Sequence, residues 1–348
     1  MNSLKVLIGI ITAIAFQSCS EDTGNGGANN ITTLGIFIVN EGNFNSNTGD
    51  VSYYDITGQG MTNNLFLNAN GVTGGDVLQD MLIKDTIAVI VANNSNQVRI
   101  VSLNSFIKIK DIPTAQPRFI KEVSGNRAYI SSWDGTVKIL DLATLSIVDS
   151  ITVGSFPEGI VVVNDLAYVA NSGFGYDNTI SVINTATDQV LQNIRVGYGP
   201  MRLAQLDNKI YVACNGNEFA DPKVPGGIFV INASNNQLLD SLVTITRGAV
   251  TDTIYPSRMA LREDQGFFIS GYTGMIQVFD PAALTLTDTI DGNYYQVAVN
   301  ENGDDRNVYA TTPALLGKFL IFSPAFEKID EENVGEFPTA IIFRNEEN

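Results

Sequence analysis

A unit of four short strands recurs along this chain, and that recurrence limits the fold more than any other feature. Its clearest copy covers residues 156–197. A run over 157–163 opens at Pro157, Asn164-Asp165 turns it, 166–171 runs back, a Gly-rich loop leads to 179–184, and 189–196 completes the unit. β-Branched and aromatic residues fill the runs while Asn, Asp and Gly fill the gaps, as antiparallel strands with tight turns require. The prolines that open successive copies, Pro117, Pro157, Pro200 and Pro256, stand 40, 43 and 56 residues apart. An insertion over 221–226 accounts for the longest interval. A period of roughly 40–50 residues with four strands describes a β-propeller, because one such sheet cannot bury both faces and must stack radially on its neighbours.

Openings fall at 76–81, Pro117, Pro157, Pro200, Pro256, 294–297 and Pro338, which makes seven blades. The last opening, 338–343, has no room for strands of its own, whereas the runs at 34–40, 49–55 and 61–66 lack an opening strand. The prediction is therefore an all-β chain: a single seven-bladed β-propeller over 33–348 with four-stranded antiparallel blades, closed by pairing of the C-terminal strand with the N-terminal blade.

Residues 1–18 stand apart from the repeats. Lys5 precedes an apolar run over 6–16, too short to span a bilayer and of the length of a secretory signal. Ser18 directly before Cys19 resembles the bacterial lipobox, and Ser20-Glu21-Asp22 resembles the acidic export signal of Bacteroidetes lipoproteins. The resemblance implies a lipoprotein signal peptide over 1–18, lipidation of Cys19 and a Gly- and Asn-rich tether over 19–32. It places the protein at the outer membrane, held through its lipid anchor only and facing the exterior. Cys214 is then the one thiol left, in a run where a small buried residue is expected.

The chain has no His, which removes the commonest general base, the Ser-His-Asp and Cys-His arrangements and the best nitrogen ligand for transition metals. Asp76, Asp80 and Glu158 lie near blade openings without convergent ligand spacing, so neither catalysis, as in metal-dependent lactonase propellers, nor a metal or other cofactor is expected. The acidic stretches 301–305 and 331–333 read as turns. A net charge of −17 repels phosphate backbones and argues against nucleic acid. Asp55, Asp141 and Asp280, with Asn184 and Asn232, end the third strands and are expected to start turns by accepting backbone N–H bonds. An Asp-Ser/Thr-aliphatic pattern at Asp85, Asp149, Asp240, Asp252 and Asp288 resembles the Bacteroidetes O-glycosylation motif, although recurrence of the repeat itself also produces it.

Ala167-Tyr168-Val169-Ala170-Asn171 resembles the YVTN motif of bacterial surface propellers. Asn40-Glu41-Gly42-Asn43-Phe44 followed by Val51-Ser52-Tyr53-Tyr54-Asp55, with Gly75-Asp76 before the second blade and Pro117-Arg118 opening the third, is similar to a narrower group of Bacteroidetes surface lipoproteins. That group includes cobalamin-binding propellers seated on TonB-dependent transporters. The resemblance implies a cell-surface protein that captures a large nutrient, with a corrinoid as candidate ligand and a TonB-dependent outer-membrane transporter as partner. Fold is better specified than function by such repeats. A non-enzymatic module that docks on a protein or a surface glycan stays open.

Loops joining second and third strands, and segments leading into first strands, open on one face around the channel mouth. Phe44, Trp133, Phe174, Tyr176, Phe219 and Tyr272 lie in the former, and Phe156, Tyr198, Tyr255, Tyr294, Tyr295 and Phe337 in the latter. Aromatic side chains gathered in loops mark a binding face. Arg118, Arg202 and Arg258 at blade openings are expected to supply charged donors to it. The expected ligand-binding set is Phe44, Arg118, Trp133, Phe174, Tyr176, Arg202, Phe219, Arg258, Tyr272 and Tyr295. A small-molecule ligand with apolar faces and polar edges suits it, a corrinoid or a glycan.

Overall fold

The computed structural model describes residues 31–58, 60–247, 250–301 and 305–347. The signal segment, Cys19 and the tether up to residue 30 lie outside the described residues, as do 302–304 of the acidic stretch 301–305.

In blade 4, Pro157–Val163, Leu166–Asn171, Thr179–Asn184 and Gln189–Arg195 pair in sequence order, antiparallel throughout. Seven four-stranded sheets of this kind make the propeller. Blades 2, 3, 5, 6 and 7 open with Leu78–Lys84, Pro117–Glu122, Pro200–Leu206, Pro256–Arg262 and Gln296–Ala298. These opening strands contact one another in turn around the ring and so form its inner wall. Blade 1 takes its inner strand from the other end of the chain. Pro338–Glu347 pairs with Ile31–Asn40, from Ile31 opposite Glu347 to Asn40 opposite Pro338, and Asp50–Asp55 and Gly60–Thr62 complete the sheet. The first strand starts at Ile31, slightly inside the segment read as tether.

Packing between blades holds the ring. Val89, Val91, Val98 and Ile100 of blade 2 meet Ile120, Ala128, Ile130 and Leu140 of blade 3 in one buried cluster. Each Val, Ile and Leu among them contributes about 1.5–3 kcal/mol on burial. The tyrosine of the repeated second strand adds a specific link to the following blade. The Tyr168 hydroxyl donates to Asn236 Oδ1 at 2.5 Å, Tyr211 donates to the Pro281 carbonyl at 2.8 Å, and Tyr129 donates to Asp188. The turn residues behave as expected: Asp141 Oδ1 accepts from the Ala143 and Thr144 N–H groups, and Asp280 Oδ1 from those of Ala282 and Ala283.

The Asp-Ser/Thr pattern has a fold-level reason in three blades. Asp149, Asp240 and Asp288 each accept the next residue's N–H at 2.7 Å, one residue past a bulge where the outer strand slips register against the third.

Four local expectations change, the first being that 331–333, read as a turn, lies in the outer strand Lys328–Asn333 of blade 7 and pairs with Lys318–Phe322. Residues 61–66 form a strand only over Gly60–Thr62, and then the helix Leu65–Asn70 begins. Its start is set by the buried Asp50 carboxylate, which accepts the Phe66 and Leu67 N–H groups at 2.8 and 3.0 Å, while Phe66 fills the core between blades 1 and 2. The long interval before Pro256 holds more than the loop at 221–226, because a separate hairpin, Thr244–Arg247 with Val250–Thr253, follows blade 5. Tyr294 belongs to the core between blades 6 and 7, not to the channel mouth, and packs edge-on against Phe322 at 5.8 Å.

Candidate functional site

The inner strands of blades 2 to 6 lose register with their second strands directly after the first residue. A bulge of this kind re-aims the side chains within it. Gln79, Arg118, Met201 and Ser257, which occupy these bulges, line a cavity of about 660 Å³ at the channel mouth. Its upper wall comes from the loops predicted to form the binding face: Phe44, Trp133, Phe174, Phe219 and Tyr272 all line it, with Arg258 and Tyr295 below them. Phe44, Phe219 and Tyr272 are exposed, and Phe219 is 91% accessible.

One side of the cavity is a closed network. Arg118 donates from Nε to Glu158 Oε2 at 3.1 Å, from Nη1 to Gln79, and sits 4.3 Å from the Trp133 ring centroid. Trp133 Nε1 donates to Glu158 Oε1 at 2.9 Å, and the indole meets Phe174 edge-on at 4.9 Å. Phe156 lies 4.1 Å from Phe174. Glu158 is thus fully engaged by two donors from blade 3 although it is only 1% exposed. Pairing of this sort is what lets a carboxylate be buried.

The opposite side is less fully bonded. Arg258, only 6% exposed, makes one hydrogen bond, Nη1 to the Ser257 carbonyl at 3.1 Å, and lies 5.1 Å from the Tyr295 ring centroid. Its Nε has no hydrogen-bond partner among the described residues. Beside it, Tyr272 donates to Tyr295 at 3.2 Å, and Tyr295 donates to Glu41 Oε2 at 2.8 Å. Burial holds the Glu41 carboxyl above its ordinary range against the opposing pull of the Tyr295 bond and the Arg258 charge. The Tyr295 phenol is pushed up by burial and by Glu41.

Eight of the ten expected binding residues therefore share one cavity. Tyr176 is exposed and is not among the residues lining it. Arg202 stands deeper in the channel and lines a different cavity, with its guanidinium 4.0 Å from the Phe119 ring centroid. Arg118 faces the cavity with its N–H groups engaged by Glu158 and Gln79, while Arg258 keeps a buried Nε without a hydrogen-bond partner among the described residues. The role of Glu158 was not foreseen. Its signal was in the repeat, since Pro117-Arg118 and Pro157-Glu158 put opposite charges at equivalent positions of adjacent blades. Among the described residues no group of three His, Cys, Asp or Glu side chains is placed to hold a metal ion.

The family described as "Domain of unknown function (DUF5074)" matches residues 34–220, more than half of the chain. The chain belongs to that family. The DUF5074 match runs from blade 1 into the loop of blade 5 that carries Phe219, so it includes the Arg118–Glu158–Trp133 network and stops before Arg258, Tyr272 and Tyr295. No curated protein matches the chain. Among solved structures, hydrazine synthase of Kuenenia stuttgartiensis superposes with a TM-score of 0.62 at 13% identity, covering 75% of this chain and 88% of that one. U3-55K gives 0.60 at 11% identity, covering 75% and 83%, and the computationally designed Ika8 protein gives 0.53 at 13%, covering 75% and 88%. Likenesses at such identity concern the fold alone.

Proposed function

We propose that this protein is a non-enzymatic capture protein that binds a large small-molecule nutrient at the channel mouth. The carrying observation is the cavity of about 660 Å³, whose aromatic wall is fixed in place while the buried Arg258 Nε opposite has no hydrogen-bond partner among the described residues. That size falls within the usual range for small-molecule sites, and mostly apolar walls with a few placed polar groups are their usual character. A ligand with an apolar face against Trp133 and Phe174 and an acceptor oxygen toward Arg258 fits best. A corrinoid meets that description along one edge of its ring, with the exposed Phe44 and Phe219 covering what stays outside. With no His in the chain, no imidazole displaces its axial groups. In the fuller reading, a lipid on Cys19 anchors the protein at the outer membrane and the loaded face delivers its ligand to a TonB-dependent transporter.

Calorimetric titration of the purified chain with cyanocobalamin and with a malto-oligosaccharide tests the reading. Saturable binding of either one, weakened in Trp133→Ala, supports capture and separates corrinoid from glycan. Absence of binding to both would overturn it. A second reading, docking onto a protein, is favoured by the near-complete exposure of Phe219, since an aromatic on an open loop suits a broad, flat interface.

A further inference from the structure

The channel holds a second chamber beyond the one described. All inner strands run in the same sense around the ring, and the capture cavity is lined by their first residues. A cavity of about 400 Å³ is lined by residues further along the same strands, among them Asp80, Phe119, Arg202, Met259 and Phe343, so it opens toward the opposite face. Arg202 separates the two. It starts on blade 5 and reaches the Phe119 ring on blade 3, passing the inner strand of blade 4 at Gly159. The inner strands of blades 4 and 5 approach closely there: a Cβ at Gly159 would stand 2.7 Å from the Met201 carbonyl oxygen and 3.4 Å from Arg202 Cα, so the approach requires glycine.

The guanidinium placed there is not neutralised by contact. Its Nη1 is buried and has no hydrogen-bond partner among the described residues, and no ion pair joins Arg202 to a carboxylate. Of the two carboxyl groups lining the chamber, Asp80 and Glu301, it is Asp80 that acts on Arg202, and it turns its oxygens to the Met81 and Ile120 N–H groups at 2.9 and 3.0 Å. Burial, reinforced by the Arg258 and Arg118 charges above and opposed by Glu158 and Asp80, lowers the Arg202 pKa to about 9. A buried cation with a free donor is a costly arrangement unless an acceptor completes it. Phe119, Met259 and Phe343 supply apolar walls beside it.

We infer that Arg202 forms a second binding site, reached from the face opposite the capture cavity, for a small organic monocarboxylate whose carboxylate meets the guanidinium and whose short apolar part meets Phe119 and Met259. This site is independent of the capture reading, and both can be tested on the same protein.

The test is calorimetric titration of the full chain with sodium benzoate, with sodium chloride at matched ionic strength as the blank. The expected result is saturable binding, weakened at least tenfold in Arg202→Met, partly kept in Arg202→Lys and unchanged in Trp133→Ala. Asp80→Asn, which removes the competing negative charge, should tighten it. Thermal melting without benzoate checks that each variant is folded. Absence of saturable binding in the parent overturns the inference. So does equal binding by folded Arg202→Met, or binding lost in Arg258→Met instead, which would put the anion in the capture cavity.

Discussion

Arg118 and Arg258 stand near the openings of inner strands in blades 3 and 6, both buried and both facing the same cavity, yet they are in opposite electrical situations. Arg118 is bonded to Glu158 and Gln79 and capped by Trp133, so its charge is spent on holding the wall together. Among the described residues Arg258 has one carbonyl bond and an Nε without a partner. The difference teaches that the same residue type near the same strand opening does not confer the same function: Arg118 follows its proline directly and lies within the bulge, whereas Arg258 stands one residue further on, back in register with Ile269, and the next blade differs too. Blade 4 offers Glu158 to Arg118, whereas the described residues offer Arg258 no carboxylate within ion-pair distance.

The largest effect that would break this comparison is on stability. Arg118→Met should cost about 3–5 kcal/mol, because it leaves Glu158 buried and unpaired. Urea unfolding measures it, and a cost under about 1 kcal/mol would mean the wall is not held by that pair. Next is Trp133→Ala, expected to weaken ligand binding by about 2–4 kcal/mol, roughly 30-fold to 1000-fold. Because the indole is bonded to Glu158 and packed on Phe174, a loss of folding stability should accompany it, visible as a lower melting temperature in the unliganded protein.

Asp80 tests the same idea with a carboxylate that has backbone donors but no paired cation. Burial raises its pKa to about 6. A raised acid binds its proton more tightly when folded, so its contribution to stability is full below the unfolded value near 4 and is lost as pH rises through about 6. The stability of the parent minus that of Asp80→Asn should therefore fall by about 3 kcal/mol between pH 3.5 and pH 7.5. A difference independent of pH would remove the burial argument. The smallest effect belongs to Arg258→Met, expected to cost less stability than Arg118→Met, since among the described residues no ion-paired carboxylate is orphaned. Its ligand affinity should drop all the same, and loss of stability without loss of affinity would reverse the roles given to the two arginines.

Much of this was legible in the chain itself. Blade number, strand order and closure follow from prolines, turn residues and alternation that repeat with the structural unit, so each copy corrects errors in reading another. The aromatic loops were legible for the same reason. What escaped depends on contacts the repeat does not encode. The helix Leu65–Asn70 exists because Asp50, on another strand, accepts its first N–H groups. Tyr294 and Tyr295 are adjacent and both buried, but one fills an interblade core and the other lines the cavity, a distinction fixed by the path of the long outer strand Thr285–Tyr294. Arg202 and Arg258 both stand two residues after their prolines and just past a one-residue bulge, yet they line different cavities, and sequence spacing from the proline does not reveal that.

The pairing of Ile31 with Glu347 brings the two ends of the described chain side by side in one sheet. A ring closed in this way has no privileged starting blade. A linker of a few residues across that gap, with new ends cut in the turn at Asn164-Asp165, should give a circularly permuted protein with the same blades in a different order of synthesis. Such a rearranged chain would also free blade 1 from depending on the last strand to be made.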